Sequence, residues 1–124
     1  MGKARIDAAA GTSAVTTVAN DFDGASRELR ATAVRFLLQC LSDAAPGNSV
    51  EVRVPPFGAV QCIEGPGHTR GTPPNVVETD AQTWLALATG TLSWDEARAS
   101  ARVHASGQRA DLSAHLPILR LPRP

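Results

Sequence analysis

The chain has 124 residues and a mass of 13.0 kDa, the size of one ordinary domain, so residues 1–124 read as a single unit. Hydrophobic residues make up 43% and charged residues 19%, with 12 Lys+Arg balancing 12 Asp+Glu. This composition excludes disorder driven by charge and low hydrophobicity, and it excludes the basic excess of a nucleic-acid-binding surface. No apolar run reaches the length of about 18 residues that a membrane span needs.

Residues 1–11 are Ala-rich and show no helix cap, so they read as a segment without fixed structure. No apolar stretch follows Lys3 and Arg5, so no secretory signal is expected and residence is expected to be cytoplasmic. A short helix is predicted over Thr12 to Asn20, closed by the turn residues Asn20-Asp21-Phe22-Asp23-Gly24. The strongest helical pattern runs from Ser26 to Ala44. Leu29, Ala33, Phe36, Leu37, Cys40, Leu41 and Ala44 form one apolar stripe, and Pro46-Gly47-Asn48 ends it.

The period then changes to two. Val50, Val52 and Val54 alternate with Ser49, Glu51 and Arg53, which predicts a half-buried strand. Pro55-Pro56-Phe57-Gly58 is a turn, and Ala59 to Glu64 completes an antiparallel hairpin. Residues 65–74 hold three Gly and three Pro in ten positions, a loop long enough to act as a lid or a binding loop. Asn75 to Glu78 is a third strand. Two capping boxes follow, Thr79-Asp80-Ala81-Gln82 and Ser93-Trp94-Asp95-Glu96, opening helices at about 80–89 and 94–100. Arg102 to Ala105 is a fourth strand, Arg109 to Leu116 a last short helix, and residues 117–124 an extended tail.

No chemistry-bearing constellation emerges. Cys40 and Cys62 read as two free thiols packed as small hydrophobes, and neither has a visible base beside it. His68, His104 and His115 match no metal-ligand spacing. Gly65 to Gly71 lacks the Gly-Lys-Ser/Thr ending of a phosphate loop. His68 and Arg70 stay open to two readings: they meet a ligand carboxylate or phosphate, or they lie on a solvated loop with Arg70 tied to Glu64 or Glu78. Phe36, Trp84 and Trp94 are core aromatics that could equally line a cavity.

Five stretches in order carry a resemblance. They are Val76-Val77-Glu78-Thr79-Asp80, Trp84-Leu85-Ala86-Leu87-Ala88-Thr89-Gly90, the small-residue segment Trp94 to Ala101, Val103-His104-Ala105-Ser106-Gly107, and Leu112-Ser113-Ala114-His115-Leu116. Over about 76–119 the chain resembles the sterol carrier protein type 2 family, with a looser fit of the long helix and hairpin before it. The resemblance implies an α/β fold with an antiparallel-rich sheet covered on one face by helices. It also implies a hydrophobic tunnel between the two layers for an acyl chain or similar ligand. Phe36, Leu37, Trp84 and Leu87 would line that tunnel, and His68 and Arg70 would stand at its mouth. The polar stretch Glu51, Arg53, Glu64, His68 and Arg70 argues against sterol itself.

The expected function is therefore a non-enzymatic carrier for a hydrophobic ligand, without cofactor or metal. Two alternatives stand beside it. One is an accessory module of a thiol-dependent isomerase-type enzyme, because the family includes the C-terminal domain of mycothiol-dependent maleylpyruvate isomerase. The other is a protein-interaction domain whose core is filled by its own side chains.

Overall fold

The computed structural model describes residues 5–66 and 75–122. Four helical segments and four strands follow in the order α1 (Ala8–Asn20), α2 (Arg27–Ala44), β1 (Val50–Val54), β2 (Gly58–Cys62), β3 (Asn75–Thr79), α3 (Ala81–Thr89), α4 (Trp94–Ala99) and β4 (Val103–Ser106). The strands form one sheet in the order β2-β1-β3-β4. β1 runs antiparallel to β2 and parallel to β3, and β3 is antiparallel to β4. The α/β class and the antiparallel hairpin agree with the sequence. The parallel β1–β3 pair makes the sheet mixed.

The alternation in β1 sorts the two faces of the sheet. Val50, Val52 and Val54 are buried, and Cys62, Val77 and Val103 join them on the inner face. Glu51, Arg53, Gln61, Glu78 and His104 are half-buried or exposed on the outer one. Helix α2 lies against β2 on the inner side, where Leu38 and Arg35 lie closest to Gly58. Ser26 caps α2 by accepting the Leu29 amide at 3.0 Å.

The helix buries more than the predicted stripe. Ala31, Val34 and Leu38 are also buried, whereas Ala44 is exposed. The reason is α1, which covers a second side of α2. Its start differs from the expectation. Asp7 accepts the amides of Ala9 and Ala10 at 2.9 and 3.1 Å, so the helix begins at Ala8, within the segment expected to lack structure. The preceding residue is clamped as well. Gln39 accepts the Ile6 amide at 3.0 Å and donates to the Ile6 carbonyl at 2.9 Å. A Cβ at Gly11 would come within 2.2 Å of the Phe36 ring, so this glycine is what lets α1 approach α2.

Two other expectations are corrected. Asp80, not Thr79, caps α3: its carboxylate accepts the Thr83 amide at 2.8 Å and the Thr83 hydroxyl at 2.9 Å. Thr79 remains in β3 and donates to the Arg102 carbonyl at 2.8 Å, which ties β3 to the start of β4. The segment 109–116 forms only a 3-10 turn at Ser113–His115. At Ser93, by contrast, both halves of the capping box are present.

These caps are separable by mutation. Asp80→Ala and Ser93→Ala should each lower stability by about 0.5–2 kcal/mol in urea melts, through loss of the side-chain acceptor. Asp80→Ala should also leave the Thr83 hydroxyl without its partner. Equal stability of Asp80→Ala and the parent chain would show that α3 does not depend on this cap.

Candidate ligand-binding site

Four of the residues expected to line a tunnel between the sheet and the helices, two on α2 and two on α3, are buried in the core. Phe36, Leu37, Trp84 and Leu87 all belong to the same core cluster. Helix α3 is short, and it presents Trp84, Leu87 and Ala88 inward between the Asp80 cap and Gly90. Gly90 ends it in the left-handed conformation at φ 87°, which favours glycine. The polar atom of Trp84 is satisfied inside the layer between α2 and α3. Its indole N–H donates to the Val34 carbonyl of α2 at 3.3 Å.

In the structure this layer is closed. Trp84 and Leu37 are 0% exposed, Leu87 1% and Phe36 5%. The indole therefore fills the space between the helices. No polar side-chain atom buried among the described residues lacks a hydrogen-bond partner, so nothing polar in this layer calls for a ligand.

His68 and Arg70 lie outside the described residues, but the two feet of their loop are fixed. Cys62 ends β2 opposite Val50, and Asn75 begins β3 opposite the same Val50 on its other side. Both feet thus stand at one end of the sheet, two strand spacings or about 10 Å apart. A polar network holds this end. Buried Asn75 donates to the Ser49 carbonyl at 2.8 Å and accepts the Arg109 amide at 2.9 Å. Ser49 donates to the Ile63 carbonyl at 2.6 Å, and the Ile63 amide donates to the Ala45 carbonyl at 2.7 Å.

Ile63 sits at φ 65°, in the left-handed region that a β-branched residue rarely adopts. The surrounding bonds hold that strain at the foot of the loop. Sequence alternation placed Ser49 on the polar face with Glu51, yet it is fully buried. Neither Ser49 nor Asn75 carried a signal of this role, because the network joins segments far apart in the chain.

Both cysteines are free thiols. Burial pushes the Cys62 thiol up to about 11 from an ordinary 9.0. Cys40 is also raised, by burial first and then by the Asp43 carboxylate, with Arg5 opposing. Raised values describe inert thiols rather than nucleophiles. Among the described residues no group of three or more His, Cys, Asp or Glu could hold a metal ion. No helix there is long and apolar enough to cross a membrane.

An α/β domain with an apolar helix layer on a mixed sheet is the class that this geometry defines. Residues 26–118 match the family of bacterial SCP orthologs, so the chain belongs to this bacterial sterol-carrier-like family. The match starts at the α2 cap and takes in the front half of the fold, where the sequence resemblance was looser. Helix α1 lies before it. No curated protein matches the chain significantly.

Two measurements check the polar brace and the buried thiol. Asn75→Ala removes at once the partner of the buried Ser49 carbonyl and that of the part-buried Arg109 amide, so it should lower stability by about 1–3 kcal/mol. An unchanged melt would show that solvent reaches these groups. For Cys62, the folded thiol binds its proton more tightly than the unfolded one. Stability should be fully present below about pH 9 and fall as pH rises toward about 11, where the unfolded state ionises first. The chain has no tyrosine, so this fall should be visible in alkaline melts and reduced in Cys62→Ala.

Proposed function

We propose that this chain is a non-catalytic carrier-type domain for a hydrophobic, acyl-chain ligand. The ligand is taken up between α2 and α3 around Phe36, Leu37, Trp84 and Leu87. His68 and Arg70 meet its polar end from the loop at the end of the sheet. The observation that carries the reading is family membership across α2, the sheet and α3. The chemistry of the layer supports it. The four lining residues are apolar, and a single hydrogen bond of 3.3 Å from Trp84 crosses from α3 to α2 within it.

Uptake then means exchange. The closed layer opens as α3 shifts from α2, and methylenes of the ligand replace side-chain contacts at about 0.8 kcal/mol per buried CH₂. Affinity is reduced by the fraction of molecules in the closed state, as for any ligand that selects a minor conformer.

Trp84 supplies its own test. In a Trp94→Phe background the remaining tryptophan emission belongs to Trp84 alone. A bromine-labelled hexadecanoate that enters the layer should quench this emission in a saturable way. Native mass spectrometry of freshly purified protein should show a co-purified lipid. An absence of both signals at micromolar ligand would overturn the carrier reading. It would leave an interaction domain whose core is filled by its own side chains.

A further inference from the structure

A recess of mixed polarity, to which Asn20, Gln82, Thr89 and Thr91 add polar groups, lies elsewhere on the molecule. It is a groove of about 530 Å³ between the end of α1, helix α3 and the C-terminal tail, and its lining contains neither Trp84 nor Phe36, Leu37 or Leu87. Val18 and Phe22 line it from the end of α1, Leu85 and Ala86 from α3, and Arg120 and Leu121 from the tail, with Val18 and Leu85 themselves largely buried. Its volume falls in the range of about 300–1,000 Å³ usual for small-molecule sites.

Each wall is held in place. The Arg30 guanidinium lies 4.3 Å from the Phe22 ring centroid, and its Nε donates to the Phe22 carbonyl at 2.9 Å. The tail is fastened to α3 by the amides of Ile118 and Leu119, which donate to the Ala88 carbonyl at 2.7 and 3.0 Å. The groove is therefore preformed, which lowers the ordering cost of binding.

Its electrostatics are simple. Arg120 is the only charged side chain among the described residues that line it. The guanidinium is exposed, and among the described residues it has neither an ion-pair partner nor a side-chain hydrogen bond. It is not needed to satisfy the end of α3. There the Ala86 carbonyl accepts the amides of Thr91 and Leu92, the Leu87 carbonyl accepts Gly90, and the Leu85 carbonyl accepts the Thr89 hydroxyl. A groove of mixed polarity, with an apolar strip and one cation that has no partner among the described residues, complements a single apolar chain ending in one negative charge.

We infer that this groove is a separate binding site for an amphipathic monocarboxylate of medium chain length, with the chain on Leu85, Ala86 and Phe22 and the carboxylate on Arg120. This goes beyond the carrier reading and does not require the α2–α3 layer to open. The site is also built by parts of this chain that the family match does not include. Its α1 wall precedes residue 26, and Arg120 and Leu121 follow residue 118.

Titration calorimetry with decanoate and with decanol tests the proposal on the full chain. Wild type should bind decanoate. Arg120→Ala should weaken decanoate about tenfold, the loss of one charge-assisted contact at an exposed site, and change decanol by less than about twofold. Arg120→Lys should restore part of the loss. Ala86→Phe should fill the groove and weaken both ligands. Decanoate binding that is absent in wild type, or unchanged in both Arg120→Ala and Ala86→Phe, overturns the inference. Trp84 quenching by the brominated hexadecanoate is repeated in Arg120→Ala and Ala86→Phe: quenching that persists there reports the interior layer, and quenching lost there reports the groove, so either site can fail while the other stands.

Discussion

The arrangement of the helices depends on how one indole is buried. Trp84 is the largest fully buried side chain, and its single polar atom reaches a backbone carbonyl in the middle of α2. A tryptophan in that position fixes two things at once. It sets the separation of α3 from α2, because the ring must fit between them. It also sets their rotation, because an indole N–H left unpaired in such a layer would cost on the order of 1–3 kcal/mol. The Asp80 cap and Gly90 then bound a helix just long enough to present Trp84, Leu87 and Ala88 on one side and Leu85 and Ala86 toward α1 and the tail.

The sheet contributes a second constraint through the order of its strands. Because β3 pairs with β1 in parallel, the chain must pass from one side of β1 to the other at a single end of the sheet. No helix makes this crossing among the described residues, and the two feet are braced instead by Ser49, Ile63, Asn75 and Arg109. The crossing explains the strain at Ile63. The backbone must turn sharply where β2 ends and still make three hydrogen bonds, one to the Ala45 carbonyl and two from Ser49, through its amide and its hydroxyl.

What could be read from the sequence follows the range of the interactions involved. The α2 stripe, the valine alternation of β1 and the Ser93 capping box are local patterns, and the structure shows them within a residue or two of where the spacing puts them. The start of α1 is local too, but Asp7 stands among alanines that carry no amphipathic stripe, so its cap gave no visible signal. At 79–80 two adjacent residues could each cap α3. The hydroxyl of Thr79 is drawn away to Arg102, a partner that is close only once β4 is in place. The wider burial of α2 and the inward turn of Ser49 likewise depend on neighbours distant in sequence. Helical spacing made Phe36 and Leu37 legible as part of one apolar stripe and Trp84 and Leu87 as part of another; only the family resemblance joined the four, and their packing depends on side-chain volumes across two helices.

Helix α1 adds to the family portion of the fold and alters what the rest can do. Its contact with α2 runs through Gly11 and the Phe36 ring, so a residue expected to face a ligand also holds α1 in place. Any ligand that displaced Phe36 would loosen α1 and, with it, the wall that Val18 contributes to the outer groove. Occupation of the groove would in turn hold α1 and α3 together and oppose opening of the layer beside Trp84. By thermodynamic reciprocity the two effects must be equal in free energy. Ligands held in the two proposed sites would therefore oppose each other, and the close packing of Gly11 on the Phe36 ring is where displacement of Phe36 would first be felt by α1.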